Sequence, residues 1–360
     1  MGRQRGWRCT ADKISSSVEV EAVTTDTLVV STANLAVMSD TNARETRAGV
    51  PLTNLDQALF DDAGATKRDL VEYLDAVSGR IIPVLENRAL SVIRVHRGQE
   101  AFMQKNVPKY TPDWVRTVDV WAEASHRNVS YALCNDLRTL IWFANQRAIE
   151  YHPSLVRVDR PDQTTHLVLD LDPPDGDPFT TVVGVARLVR RALGAVGLEG
   201  AVKTSGAKGV HVFVPIAEGA SMEDAAAATR AIAARAEQLD PEIATTAFMK
   251  EDRGGKVLVD ATRTGGATVI AAYSPRVRPG VPVSFPLPWD SLDDVVPADF
   301  TLHTAVGLLD GNDPWSEWMP APQLLPAELV EEGHHIQPGR VQAMHEGKRR
   351  ARAAKNAEPA

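Results

Sequence analysis

The stretch that most constrains this chain runs from His166 to Asp172 and is followed by two prolines. Its apolar residues predict a buried strand, which ends at Pro173 because proline cannot donate to a sheet ladder. Side chains alternate between the two faces of a strand, so Asp170 and Asp172 point to the same side. Two neighbouring carboxylates repel each other unless a cation lies between them, which predicts a divalent metal bound by oxygen ligands. The alternative is an acidic turn at the end of an ordinary strand.

A glycine-containing turn further along the chain carries groups that suit a triphosphate. Gly206 and Gly209 lie between two predicted strands and let backbone N–H groups approach an anion closely. Ser205 adds a hydroxyl group, Lys208 a positive charge and His211 a ring donor. The spacing is not that of a Walker loop, and a strand follows where a Walker loop has a helix. The alternative is a solvated hairpin.

A second apolar strand, Val257–Asp260, also ends in a carboxylate and is followed by Arg263, Arg276 and Arg278. A third aspartate would complete a carboxylate cluster for two metal ions. Arginines nearby would neutralise the charge on phosphate oxygens. Each residue alone is more often structural, but the carboxylate strands, the turn and the arginines together favour the chemistry of phosphate transfer.

Composition limits the remaining choices. Hydrophobic residues make up 44% of the 360 residues and charged residues 24%, which predicts a soluble globular protein with one elaborate domain or two. The net charge of −8 argues that any binding of nucleic acid uses a local basic groove. Cys9 and Cys134 form neither a zinc motif nor a disulfide framework. No signal peptide and no apolar run of about 18 residues is present, so we expect a cytoplasmic protein without a membrane span.

The chain is predicted to divide into three segments: a poorly ordered extension at 1–48 with one short strand at 27–30, a folded domain at 49–320 with portions at 49–150 and 151–300, and a C-terminal extension with a basic tail at 321–360. Hydrophobic periodicity and capping residues predict helices at 67–74, after Asn135-Asp136, at 180–196 and at 222–239. Strands are predicted at 89–95, 166–172, 202–204 and 210–216, with a further pair at 256–260 and 267–273 joined by Gly265-Gly266.

Taken together, the Asp170-x-Asp172 pair, the Ser205-Gly-x-Lys-Gly-x-His211 turn and Asp260 resemble the three motifs of archaeo-eukaryotic-type primase-polymerases. More narrowly, they resemble the polymerase domain of bacterial ligase D, an end-joining repair enzyme. Supporting stretches lie at 52–56, 111–115, 135–142, 150–153 and 272–274. The resemblance implies a mixed α/β (α+β) fold, with a primase-polymerase catalytic core at 151–300. In that core a mainly antiparallel central sheet is flanked by helices, and a smaller N-terminal portion precedes it. No ligase or phosphoesterase segment follows, so we expect a stand-alone member.

The resemblance also assigns roles to individual residues. It implies that the metal ligands are Asp170, Asp172 and Asp260, with His152 beside them in the catalytic centre. A structural alternative for His152 is to orient the loop that starts at Pro153. The implied nucleotide contacts are Ser205, Gly206, Lys208, Gly209, His211, Arg263, Arg276 and Arg278. The implied DNA contacts are Asn54, Lys67, Arg94, Phe102 and Lys105.

The activity implied by the resemblance is metal-dependent, template-directed nucleotidyl transfer to a primer 3′-hydroxyl in gap filling, end joining or priming. It implies two divalent ions, Mn²⁺ or Mg²⁺, and nucleoside triphosphates with a preference for ribonucleotides. Its partners would be primed DNA and a separate DNA ligase or Ku, and the protein would be a monomer. One alternative is a DNA-end or gap-binding accessory without synthesis, against which the intact aspartate triad counts. Another is a metal-dependent nuclease, which has no use for a triphosphate-binding turn.

Two positions depart from the family pattern in the pocket that receives a downstream 5′-phosphate. Gln57 stands where the family carries a lysine, and Met103 stands where it carries an aromatic residue. The strand around Arg94 is also less basic than in the family, whereas Asn54 and Lys67 are retained. A neutral amide and a flexible thioether replace a charge and a stacking surface. We therefore expect little discrimination between gaps with and without a 5′-phosphate.

Overall fold

The structure is a computed structural model that describes residues 45–122 and 126–337. The predicted strand at 27–30 and the basic residues after 337 lie outside the described residues. The helices and strands below belong to one compact unit. No helix within the described ranges is long and apolar enough to cross a membrane.

The strands are β1 (Thr46–Arg47), β2 (Val50–Pro51), β3 (Leu90–Arg94), β4 (Phe102–Gln104), β5 (Thr117–Ala122), β6 (Arg127–Ala132), β7 (Ala148–Pro153), β8 (Val156–Arg157), β9 (Arg160–Thr164), β10 (His166–Asp172), β11 (Ala201–Thr204), β12 (Val210–Pro215), β13 (Ala244–Thr245), β14 (Val257–Asp260) and β15 (Pro286–Leu287). The α-helices are α1 (Lys67–Ala76), α2 (Ser78–Leu85), α3 (Leu137–Asn145), α4 (Phe179–Gly194), α5 (Met222–Leu239), α6 (Ala305–Leu309), α7 (Pro314–Trp318) and α8 (Ala327–His335). Short 3₁₀ helices cover Lys250–Asp252, Arg263–Gly265, Trp289–Asp294 and Pro297–Asp299.

The central sheet has the strand order β13-β14-β10-β12-β11-β15. Its neighbouring strands are antiparallel except for β13 and β14, which confirms the predicted mixed fold with a mainly antiparallel sheet. Helices α4 and α5 pack against this sheet. The side chains of Leu167, Leu169 and Leu171 on β10 are fully buried in the main core. Burial of this apolar face fixes the register of β10, because a slip of one residue would turn its carboxylates into the core.

The opposite face of β10 carries the polar residues. Val168 is also fully buried there, in a small separate apolar cluster with Leu155, Phe213 and Val269. Because Val168 and Asp170 share one face of the strand, this cluster lies beside Asp170. The carboxylates therefore lie at the end of the strand, next to an apolar patch.

The N-terminal portion is a second sheet of five strands. In it β3 pairs with β4, β6 and β7, and β6 pairs with β5. Thr66 and Asp69 form the capping box of α1, because each side chain accepts from the other residue's backbone N–H. Asp136 caps α3 through the N–H of Thr139. Both predicted helix starts are confirmed. Strand β7 crosses the predicted boundary at residue 150, and the division into portions stays a prediction.

The predicted strand at 267–273 is wrong. A 3₁₀ turn over Arg263–Gly265 and a left-handed Gly266, with φ of +102°, lead the chain away from β14. The segment then runs irregularly beside β7, where the N–H of Ala271 donates to the carbonyl of Tyr151 at 2.9 Å. It forms no hairpin with β14, because the N–H groups of Val269 and Ala271 donate to β7 instead.

Helix α8 lies within the predicted C-terminal extension and packs against α5. A Cβ atom at Gly333 would stand 1.8 Å from the carbonyl oxygen of Ala227, so only glycine allows this close approach. Arg235 of α5 also pairs with Glu332 of α8. The described part of this extension is therefore integrated with the core.

Candidate active site

Four polar residues form one row across four adjacent strands. In the register of the sheet, Asp260 of β14 is opposite Asp170 of β10, Asp170 is opposite His211 of β12, and His211 is opposite Lys203 of β11. Directly opposed residues on one sheet face have Cβ atoms about 4.5–5.5 Å apart. The sheet thus brings residues separated by up to 90 positions into contact, and the predicted residues Asp170, Asp260 and His211 are among them.

Asp170 lies between a histidine and an arginine. His211 Nε2 is 3.2 Å from its Oδ1, while Arg263 Nη2 and Nε are 3.0 and 3.2 Å from its Oδ2. Burial would raise the pKa of Asp170, but the charges and hydrogen bonds of His211 and Arg263 outweigh it and hold this pKa well below its ordinary value. Arg263 also contacts Asp260 Oδ2 at 3.4 Å. One guanidinium group therefore contacts two of the three predicted metal ligands and offsets part of their negative charge.

Asp172 lies one step further along the same face and is more exposed. Its side chain is 39% exposed, against 19% for Asp170. Arg253 Nη1 is 3.2 Å from Oδ2, and Lys208 Nζ is 3.4 Å from Oδ1. Lys208 also donates to Asp175 at 2.9 Å. The sequence reasoning missed Arg253, which directly follows the 3₁₀ helix Lys250–Asp252 before β14 and belongs to no recognisable motif.

The turn between β11 and β12 has the tight geometry that its sequence predicts. The N–H of Ser205 donates to the carbonyl of Gly209, and Ser205 Oγ accepts from the N–H groups of Ala207 and Gly209. Gly206 has a φ of +69°, and a Cβ at Gly209 would lie 2.2 Å from a backbone oxygen of β10. Glycine is therefore required at both positions for the turn to fold against β10.

A buried carboxylate joins this turn to β7. Glu150 accepts from His152 Nε2 at 2.8 Å and from the N–H of Val277 at 2.8 Å, and it pairs with Arg276 Nε at 3.1 Å. Arg276 in turn donates to the carbonyl of Ser205 at 2.7 Å. Burial would raise the pKa of Glu150, but His152 and Arg276 outweigh this and lower it. Glu150 shares a strand face with His152 two residues away, which is the signal that sequence reasoning could have used.

These side chains surround a cavity of about 330 Å³. It is lined by Asp170, Asp172 and Asp260, by the turn residues Ser205, Lys208, Gly209 and His211, and by Arg253, Arg263, Arg276 and Arg278. The cavity therefore contains most of the predicted metal and nucleotide residues. His152 and Gly206 do not line it. His152 bonds to Glu150, which pairs with Arg276 of the lining.

The predicted DNA contacts lie elsewhere, in the N-terminal portion. Asn54, Phe102 and Lys105 are exposed. Lys67 is buried, and its Nζ donates to the backbone oxygen of Thr53 at 2.5 Å; burial and the nearby Arg147 lower its pKa to about 8. Arg94 is also buried and donates to Gln104, Tyr110 and Gln146. Two of the five candidate DNA contacts are therefore already engaged by neutral groups of the protein.

Three carboxylates at the ends of neighbouring strands form a donor set of oxygen atoms, which suits a hard divalent cation. Within the described part of the chain, however, no three His, Cys, Asp or Glu side chains are grouped closely enough to hold a metal ion. Arg263, Arg253 and Lys208 lie against the carboxylates instead. The chemistry of the site therefore fits a divalent ion, and these cationic side chains occupy the carboxylate oxygens that would bind it.

Comparison with known proteins places this arrangement in a family. Residues 66–315 match the family model of the LigD primase-polymerase domain. The chain belongs to this family. It is 34% identical over 259 residues to the bifunctional non-homologous end joining protein LigD of Bacillus subtilis, a match that covers 71% of this chain and 41% of that protein. It is 32% identical to the multifunctional LigD of Mycolicibacterium smegmatis, covering 68% of this chain and 32% of that protein. The chain thus spans less than half the length of these relatives.

A solved structure shows the same fold. The polymerase domain of Mycobacterium tuberculosis ligase D in complex with DNA has a TM-score of 0.69 and 30% sequence identity, and the match covers 77% of this chain and all of that one. Together with the family match, this likeness confirms the primase-polymerase resemblance and the mixed α/β architecture expected from the sequence.

Proposed function

We propose that this protein is a metal-dependent, template-directed nucleotidyltransferase that extends a primer 3′-hydroxyl on gapped, broken or primed DNA. One observation carries the proposal. The carboxylates Asp170, Asp172 and Asp260 share one cavity with the turn of Ser205 and Lys208 and with several arginines. Carboxylates suit a divalent ion, while the turn and the arginines suit a triphosphate. A nuclease needs only the first of these sets.

The residues of the cavity would act on the nucleotide by binding and orienting it. The backbone N–H groups of the turn, Lys208 and the ring of His211 would donate to phosphate oxygens. Arg276 is held by Glu150 and Ser205 and would present a fixed guanidinium to charge that develops in the transition state. His152, bonded to Glu150, would face the primer side of the site. These interactions stabilise the transition state by positioning and charge.

A divalent ion, Mn²⁺ or Mg²⁺, would be held by Asp170, Asp172 and Asp260. Two such ions would lower the pKa of the primer hydroxyl and stabilise the leaving pyrophosphate. Arg263, which now contacts two of these carboxylates, would then be released toward phosphate oxygens. The substrates proposed here are nucleoside triphosphates, with ribonucleotides preferred, and the proposed state is a cytoplasmic monomer that works with a separate ligase or Ku.

The test is incubation with a primed and gapped template, a labelled nucleoside triphosphate and Mn²⁺ or Mg²⁺. Extension of the primer by the templated base is the expected result. Shortening of the primer would show a nuclease, and a mobility shift without any conversion would show a binding accessory; either result would overturn the proposal. Asp162→Asn is the matched control for substitutions of Asp170, Asp172 or Asp260, since Asp162 is an exposed carboxylate on β9 outside the cavity.

A further inference from the structure

Lys203 is the member of the polar row that the proposed chemistry does not use. Its side chain is fully buried on β11, with a relative exposure of 0%. Nζ is 2.6 Å from Ser284 Oγ and 2.9 Å from His211 Nδ1, and it lies 5.4 Å from the centre of the Phe213 ring. Burying a lysine is costly unless its amino group is hydrogen-bonded. Here one of its two polar partners is the imidazole that faces Asp170.

The two ring nitrogens of His211 have different neighbours, and the neighbours fix their roles. Nε2 is 3.2 Å from the carboxylate of Asp170, which can only accept a hydrogen bond. In the neutral ring a proton on Nε2 makes this contact a hydrogen bond, and Nδ1 is then left as an acceptor. Lys203 Nζ stands at Nδ1 as a donor. Both contacts are hydrogen bonds only in this tautomer.

Ser284 determines where Nζ can lie. Ser284 Oγ donates to the carbonyl of Thr204 at 2.8 Å, so its lone pairs face Lys203 Nζ. Lys203 and His211 are also directly opposed in the register of β11 and β12. The donor at Nδ1 is thus positioned by two strands and by a side chain from a third segment. Such support around a site is what holds a functional group in one orientation.

We propose that Lys203 is a positioning residue, which fixes the ring of His211 in the tautomer that presents its Nε2–H to the active-site cavity. There the Nε2–H donates to Asp170 when no nucleotide is bound and to a phosphate oxygen of the nucleotide when one is. The contact between Nε2–H and the nucleotide rests on the proposed function. The tautomer of His211 and its hydrogen bond to Asp170 concern the free protein alone.

The first test is ¹⁵N NMR of the histidine rings in the free, metal-free protein, with His211→Asn used to assign the signals. In the unsubstituted protein, Nε2 of His211 is expected to carry the proton and Nδ1 to carry none. A signal with the proton on Nδ1 would overturn the proposal, and this measurement needs no destabilised variant. In Lys203→Met the donor is lost, and we expect both tautomers to be populated.

Thr204→Val is the matched control, because Thr204 is a buried neighbour on β11 whose hydroxyl bonds to the backbone of residues 283 and 285. This substitution should lower stability without changing the His211 signals. If Lys203→Met leaves the His211 signals unchanged, or if Thr204→Val changes them equally, the positioning role is refuted.

The second test is the steady-state kinetics of nucleotide incorporation. Lys203→Met is expected to raise the KM for the nucleotide about tenfold while kcat changes less, because a ground-state contact to phosphate is weakened. Equal falls in kcat for Lys203→Met and Thr204→Val would indicate a purely structural role and overturn the proposal. If the unsubstituted protein incorporates no nucleotide, the proposed function fails, and the NMR result still decides the position of the proton.

Discussion

Replacing Asp170 and Asp172 one at a time by asparagine separates stability from catalysis in the cavity. Asp170 accepts from His211 Nε2 at 3.2 Å and from Arg263 Nη2 at 3.0 Å. An amide offers one acceptor oxygen, so Asp170→Asn keeps one of these partners and turns an N–H₂ group toward the other. A hydrogen bond to a charged group contributes about 1.5–3 kcal/mol. We expect Asp170→Asn to lower the free energy of unfolding by about that amount.

Replacing Asp172 should reduce folding stability less than replacing Asp170. Its contacts with Arg253 and Lys208 are 3.2 and 3.4 Å long, and its side chain is partly exposed to solvent. Partly exposed ion pairs contribute about 0–1 kcal/mol. Asp172→Asn should therefore leave stability within about 1 kcal/mol of the unsubstituted protein. Primer extension should nevertheless fall by about a thousandfold or more in both variants, since about 4 kcal/mol of transition-state stabilisation is lost with a metal ligand.

Two measurements check this pair. Urea denaturation without divalent metal gives the free energies of unfolding, and primer extension at saturating Mn²⁺ gives the rates. Asp162→Asn, an exposed carboxylate outside the cavity, should change neither quantity. Extension near the unsubstituted rate in either variant would refute the metal assignment. Equal losses of stability in the two variants would refute the reasoning from their different contacts and exposure.

Three further predictions concern the turn, the half-buried His166 of β10 and the downstream end of the gap. Ser205→Ala and His211→Ala should each raise the KM for nucleotide about tenfold in steady-state incorporation, because each removes a donor worth about 1.5–3 kcal/mol; unchanged kinetics in both would exclude the turn as the triphosphate site. Burial and the nearby Arg88 lower the pKa of His166 from 6.5 to about 3, so between these pH values the unfolded chain binds one more proton than the folded chain. Stability is therefore lost as the pH falls from 6.5, and His166 contributes up to about 1.4 kcal/mol per pH unit; His166→Asn should remove this contribution and leave a smaller slope in urea denaturation between pH 6.5 and pH 5. Removal of the 5′-phosphate from a gap should change affinity and extension less than about 30-fold at fixed salt, roughly 2 kcal/mol, because Gln57 is neutral and Nζ of Lys67 already donates to Thr53; a larger preference would show that other residues rebuild the pocket.

Local sequence patterns predicted the elements that build the site. The strand at 166–172 and the helix at 222–239 have the expected bounds, because the first shows alternation and the second is an alanine-rich run, and both are local patterns. The turn at Gly206 was also predictable from the sequence. Its two glycines are needed for a positive φ at Gly206 and for the close approach of Gly209 to the backbone of β10. These features depend on neighbours in the chain.

The features that sequence reasoning missed depend on residues distant in the chain. Arg253 becomes part of the site because it meets Asp172, 81 residues away, and no local signal marks it. The segment at 267–273 has an apolar pattern typical of a strand, yet two of its N–H groups donate to β7 and one to Ser284. The position of Lys67 at the start of a helix predicts an exposed cation, but the residue is buried and its Nζ donates to the backbone of Thr53. Tertiary contacts decided each of these cases against the local pattern.

Glu150 shows how the two sheets form one site. It lies on β7, which belongs to the N-terminal sheet, and its carboxylate holds Arg276 in contact with the turn of the central sheet. The same carboxylate holds His152, so one buried charge orients both a histidine of β7 and an arginine of the cavity lining. A buried carboxylate that lacked these partners would be neutral or unstable. The lowered pKa of Glu150 shows that the surrounding cations stabilise its charged form, and the ion pair therefore couples the position of the two sheets to the geometry of the cavity.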